Sequence, residues 1–306
     1  MKITSRILFL FSLILIEMVA SAQLAAAAGT DLLVDNNWLK VHGPQVAVID
    51  VRDREVYMKG HIPGAINIPV TSLRTKPDGV MVPVAVAEEM LGNKGLSIEK
   101  EAVLYGSGRE DAFLLFWMFD FLGMRRVYVL DGGIERVKGR LSTEEPSFAA
   151  VTFKAEPKLI DRSDADYIKT VLNNSSVNII DTRTPAEYKG EDVRALRGGH
   201  IPGAVNINFA GNFQGDTTTL KPRQELANIY GSLDPEKETI VYCQTGARAS
   251  NEFFVLKELG FKKVRVYIPS WVEWGSRPDL PADSVTYFNF VTILKRLSEL
   301  EQQKSK

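Results

Sequence analysis

Short apolar runs of buried-strand length alternate along most of the chain with stretches whose apolar residues recur at helical spacing. One run ends in Tyr105, a small-residue loop follows, a helical stretch closes at Leu122-Gly123, and a basic, then β-branched run spans Arg125 to Leu130. The same order returns with Tyr242, a second small-residue loop, Leu259-Gly260 and a run from Lys262 to Ile268. Strand-length runs interleaved with helices predict an α/β fold, each unit a mostly parallel sheet with helices on both faces.

The repetition extends upstream. Residues 48–68 read VIDVRDREVYMKGHIPGAINI, and 179–207 read IIDTRTPAEYKGEDVRALRGGHIPGAVNI, with eight extra residues between Asp-x-Arg and His200. Two tandem domains are therefore expected, at 30–148 and 156–282, joined by a strap within SFAAVTFKAEPKLI. Residues 283–306 carry apolar positions at Phe288, Val291, Leu294 and Leu297, a spacing that predicts a helix docked on its own domain.

The first residues hold Lys2 and Arg6, then an apolar run to Ile16 and small residues around Ala20-Ser21-Ala22 and Ala26 to Ala28. The run is short for a bilayer span and reads as a signal peptide over 1–28, so the mature protein is expected in the periplasm, with no membrane span after cleavage. No cysteine follows it to carry a lipid anchor. Composition changes little in this picture. With 45% hydrophobic and 25% charged residues and a formal charge of −1, there is no basic face for nucleic acid and no acidic tail.

One residue does change it: Cys243 is the sole cysteine of 306 residues. An unpaired thiol in an oxidising compartment forms no disulfide within its chain, so it is either a small buried hydrophobe or a reactive group. It opens the loop Cys243-Gln244-Thr245-Gly246-Ala247-Arg248, between a strand and a helical stretch, where the matching loop begins with Gly106 and carries Glu110 and Asp111. Carboxyl ends of parallel strands beside helix N-termini are ligand sites, and amides there form a nest that favours thiolate over thiol. Arg248 is expected to add a positive charge at the rim, and Gly246 to supply a left-handed turn. A thiolate in a cationic cup can attack the outer sulfur of a small dianion.

These motifs resemble the rhodanese (thiosulfate sulfurtransferase) family over about 30–282: Asp-x-Arg…Gly-His-Ile-Pro-Gly-Ala in both copies, Cys-x-x-Gly-x-Arg in the second, and the closing SWVEWG of Ser270 to Gly275. The resemblance implies two rhodanese-like domains, the first without chemistry and the second catalytic. It implies that Cys243 becomes a persulfide loaded by a small anionic sulfur donor and emptied by cyanide or a thiol. Gln244, Thr245, Gly246, Ala247 and Arg248 would form the cradle, and Arg183 would orient the donor or pair with Asp181 or Glu187. No metal or cofactor is expected, since three histidines and one thiol make a poor ligand set, and a monomer is expected because the domains pair within one chain. Ile268-Pro269 stands where the first copy keeps Asp131-Gly132, so this corner is expected to be shaped differently. The alternatives are a periplasmic sulfur or selenium carrier with little turnover, and a phosphatase. The second is disfavoured because its Cys-x5-Arg loop is one residue longer.

Overall fold

The computed structural model describes residues 31–75, 79–287 and 290–291. The expected signal peptide at 1–28 lies outside the described residues, as do 288–289 and 292–306 of the expected C-terminal helix. At its start that segment is not helical: Asp283 and Tyr287 form antiparallel bridges with His200 and Arg197. No helix among the described residues is long and apolar enough to cross a membrane.

Each copy builds one five-stranded sheet. In the first, β1 (Leu33–Val34), β2 (Ala47–Asp50), β3 (Ile66–Asn67), β4 (Ala102–Tyr105) and β5 (Val127–Leu130) lie in the order β1-β5-β4-β2-β3. In the second, β6 (Arg162–Ser163), β7 (Val177–Asp181), β8 (Val205–Asn206), β9 (Glu238–Tyr242) and β10 (Lys263–Tyr267) repeat it as β6-β10-β9-β7-β8. All ladders are parallel, and the register matches across copies: Asp50 lies beside Tyr105 and Asp181 beside Tyr242. The helices are α1 (Asn36–His42), α2 (Arg54–Lys59), α3 (Val84–Asn93) and α4 (Asp111–Phe121), then α5 (Ala165–Val171), α6 (Pro185–Tyr188), α7 (Arg223–Ile229), α8 (Ala247–Glu258) and α9 (Ser270–Trp274).

Alternation along the strands decides which face the thiol takes. Val103 and Tyr105 join the outer cluster of the first domain, whereas Ala102 and Leu104 face the other way. In β9, Ile240 and Tyr242 pack outward with Trp271 and Trp274, while Val241 and Cys243 join a cluster that contains residues of both domains. At its centre α4, buried at every position from Ala112 to Phe121, packs on α8. Ring centroids there are 5.1 Å apart for Phe113–Phe254 and 4.9 Å for Phe116–Phe254, each such pair contributing about 1 kcal/mol beyond area burial. Asp120 on α4 binds Lys257 on α8 and Lys158 of the strap. The strap itself is pinned by amides of Val151, Glu156 and Lys158 to the Gly92, Leu122 and Phe121 carbonyls.

Candidate active site

β9 ends at Tyr242 and α8 begins at Ala247, so the loop at 243–246 reverses the chain at the carboxyl end of a central strand. Gly246 makes the reversal with φ +88, and a Cβ there would meet the Ile268 carbonyl oxygen at 2.9 Å, so no other residue fits without displacement. Its amide donates to Cys243 Sγ at 3.1 Å. This is the amide that points at the sulfur among the described residues, where a nest of several was expected. The Cys243 amide donates to Ser270 Oγ at 3.0 Å, and the Cys243 and Gln244 carbonyls accept from Trp271 and Val272. Gln244 reaches the carbonyl of Arg194, within the eight-residue insertion, at 2.9 Å. Cys243 as a whole is 1% exposed while Thr245 is exposed, so solvent meets the loop rim before the thiol.

Arg248 does not stand as a free charge at the rim. Both of its Nη atoms donate to Glu187, at 2.7 and 2.9 Å, a bidentate pair with a fully buried carboxylate. Burial pushes the Glu187 carboxyl up, but the Arg248 bonds and charge and the Thr184 amide outweigh it and draw it down to about 2. Burial opposes the Arg248 charge, yet Glu187 and the field of Cys243 hold its guanidinium above the ordinary range. Glu187 is fixed by a capping box, in which Thr184 and Glu187 satisfy each other's amides at the start of α6.

Two groups arrive from the other domain. Arg74 donates through Nη2 to the Thr245 carbonyl at 2.9 Å. Glu110 and Asp111, from the thiol-free loop, face the same region; burial raises the Glu110 carboxyl against the pull of Arg248 and Arg74, and burial with the nearby Asp53 raises that of Asp111 against Arg74. Arg183, expected to orient the donor or to pair with Asp181 or Glu187, is engaged with Asp181. It is 1% exposed, forks onto Asp181 with its closest contact at 2.5 Å, and donates to the Gly199 carbonyl at 2.7 Å. Arg52 repeats these bonds with Asp50 and Gly60 in the domain without a thiol, which assigns the motif to the fold. The histidines are likewise structural: His61 and His200 bond the Tyr57 and Tyr188 carbonyls through Nδ1 and stack on those rings at 3.7 Å. Among the described residues no group of His, Cys, Asp and Glu could hold a metal.

The rhodanese-like domain matches this chain twice, over residues 34–140 and 164–277. The chain belongs to the rhodanese family. A thiosulfate sulfurtransferase of Azotobacter vinelandii is 32% identical over 259 residues, covering 80% of this chain and 93% of its own. One from Corynebacterium glutamicum is 31% identical over 286 residues, covering 84% and 92%. Among solved structures, the anaerobic ergothioneine biosynthesis enzyme from Chlorobium limicola, with trimethyl histidine bound, superposes with a TM-score of 0.77 at 22% identity, over 84% of this chain and 71% of that one. This last likeness is one of fold.

Seen as a rhodanese fold, the site contains residues that the motifs alone did not indicate: Glu187 as the partner of Arg248, Ser270 beneath the Cys243 amide, and Arg74 across the domain boundary. The first left a trace in the repeat, because Glu187 and Arg248 stand where the first copy has Val56 and Asp111, two changes that make one ion pair.

Proposed function

We propose that the protein is a thiosulfate-type sulfurtransferase that carries sulfur on Cys243. The observation that carries this reading is a lone cysteine at a strand–helix junction whose sulfur accepts the Gly246 amide and sits in the field of Arg248 and Arg74. A buried filler thiol has no use for that surrounding charge. The names of the relatives from Azotobacter and Corynebacterium support the same activity. In the first half-reaction the Cys243 thiolate forms a bond to the outer sulfur of thiosulfate, and the S–S bond of the donor breaks with its electron pair on departing sulfite. A persulfide anion remains. In the second, cyanide takes the outer sulfur as thiocyanate and returns the thiolate, or a thiol acceptor receives it. Gln244, Thr245, Gly246, Ala247 and Arg248 frame the cup, and the protein acts as an exported, periplasmic monomer after loss of residues 1–28. Mass spectrometry after thiosulfate treatment tests the chemistry: one added sulfur is expected on the Cys243 peptide, removed by cyanide. An unmodified thiol would return Cys243 to the packing role that its burial allows. Loading without steady-state thiocyanate would favour a sulfur carrier. Amino-terminal sequencing of protein from a periplasmic fraction tests export.

A further inference from the structure

The positive groups around Cys243 differ in how fully they are engaged. Arg248 commits both Nη atoms to Glu187, and Arg194 holds Asp192 at 2.6 Å with Glu187 at 3.7 Å. Arg183 is enclosed with Asp181. Arg74 is bonded to carbonyls only, through Nε to Gly79 and Nη2 to Thr245. Its Nη1 meets no acceptor, and no carboxylate pairs with it, among the described residues. Burial pushes this guanidinium down, while Cys243, Asp111 and Glu110 act on it through space in the opposite direction. A half-buried cation that forms an ion pair with no carboxylate among the described residues, held at the mouth of a loop that opens on a sulfur nucleophile, is arranged to receive an anion.

The other copy supplies an independent comparison. Arg74 and Met81 close a short antiparallel bridge, and Phe213 and Leu220 close the corresponding one in the second domain. Each turn reaches the loop of the opposite domain. At the thiol-free loop the position of Arg74 is taken by Phe213, whose ring is covered by Arg109 at 5.1 Å, while Arg109 is bonded to the Thr217 and Gly215 carbonyls. An arginine that forms no ion pair among the described residues is thus present over the working loop and replaced by an aromatic ring over the silent one.

We propose that Arg74, although carried by the non-catalytic domain, is the receptor for the anionic end of the sulfur donor: its free Nη1 edge holds the sulfonate oxygens while Cys243 attacks the outer sulfur. The inference rests on the sulfurtransferase reading and adds to it that the substrate site is completed by the first domain. Arg74 remains protonated throughout. It stabilises the charge that collects on the sulfite leaving group as the S–S bond breaks.

The test is ping-pong kinetics on the full-length protein for wild type, Arg74→Gln and Arg74→Lys, with thermal unfolding of each. For Arg74→Gln, kcat/KM for thiosulfate is expected to fall by about 30- to 100-fold, as for loss of a charge-assisted bond. Its kcat/KM for cyanide, which reports on the second half-reaction, should stay within about threefold of wild type, and its unfolding temperature should be unchanged. Arg74→Lys, which keeps the charge, should recover most of the thiosulfate value and provides the readout if the Gln variant does not fold. Equal thiosulfate values for all three proteins, or a parallel fall in both half-reactions together with the unfolding temperature, would overturn the assignment. Failure of the wild type itself to load sulfur on Cys243 would instead overturn the reading beneath it.

Discussion

The loops at Gly106–Asp111 and Cys243–Arg248 occupy one place in two copies of a fold, and the surrounding scaffold is nearly the same in both. The Tyr105 and Tyr242 hydroxyls accept the Ile62 and Ile201 amides, pinning the two Gly-His-Ile-Pro turns alike. The Gly106 carbonyl accepts from Ile134 as the Cys243 carbonyl accepts from Trp271. The differences that bear on the chemistry lie in a few side chains: Gly106 against Cys243, Val56 and Asp111 against Glu187 and Arg248, and, reaching each loop from the opposite domain, Phe213 against Arg74. The shared contacts hold both loops in place without help from the site, although the loops themselves turn differently, Gly246 taking φ +88 where Arg109 stays out of the left-handed region. The largest effect expected from this contrast is at the sulfur. Cys243→Ala should lower cyanide-dependent thiocyanate formation by at least about 10³-fold, as for removal of a covalent nucleophile, with little change in the unfolding temperature. Residual turnover near wild type would break the contrast.

The Glu187–Arg248 pair is the next difference to test. Removing one partner of a buried pair leaves an uncompensated charge, so Glu187→Gln should destabilise by about 3 kcal/mol in urea unfolding. Val56, at the matching position, is 41% exposed, and Val56→Gln should be close to neutral. The same carboxylate sets an acid limit. With its folded value drawn from the ordinary 4.5 to about 2, it contributes stability above pH 4.5 that is lost as pH falls towards 2, on the order of 2 kcal/mol after screening. Glu187→Gln should flatten stability over that window.

What the two copies share is tested by a matched pair. Arg52→Lys and Arg183→Lys each lose the fork onto an aspartate and should cost about 2 kcal/mol of stability, with kcat/KM per folded molecule within about threefold of wild type. A fall in donor affinity confined to Arg183→Lys would restore Arg183 to the substrate.

Much of this was legible in the sequence, and the exceptions have physical causes. The strand–loop–helix order and the tandem arrangement follow from apolar periodicity written twice, and Cys243 stands out because its counterpart is glycine. Arg183 was harder to read, because Asp-x-Arg looks alike whether it holds a ligand or a turn. The Ile268-Pro269 corner was expected to differ, and it does at Pro269, whose φ of −61 stands where Gly132 has +74, but the next position is kept, Ser270 having φ +53 where Gly133 has +57. What the turn requires is the left-handed backbone, and the Ser270 hydroxyl compensates by donating to the Tyr267 carbonyl while accepting from Cys243. Arg74 had no such signal. Its partner carbonyl is 171 residues away, and which face of the second sheet meets the first domain depends on the packing of α4 against α8.

The smallest predicted effect comes from a contrast buried beneath the loops. In the first domain Leu73, Leu91, Leu114 and Leu115 fill four core positions; the matching positions of the second hold Asn212, Tyr230, Asn251 and Glu252, all buried. Asn212 donates to Asn251 at 3.0 Å and to Glu252 at 2.9 Å, and Tyr230 donates to Asn212 at 2.7 Å. Asn251 Nδ2 and Glu252 Oε1 are left without partners. Burial raises the Glu252 carboxyl from 4.5 to about 7. The folded protein therefore keeps a proton that the unfolded chain has released, and stability must fall as pH rises from about 4.5 to 7. Glu252→Gln removes that slope, and at pH 8 it should unfold with a free energy about 1–2 kcal/mol above wild type. Urea unfolding at pH 5 and pH 8 checks it, because only a titrating Glu252 predicts a gain at the higher pH that shrinks at the lower one. Equal stabilities at both would mean that the second domain tolerates its polar cluster as readily as the first packs its leucines.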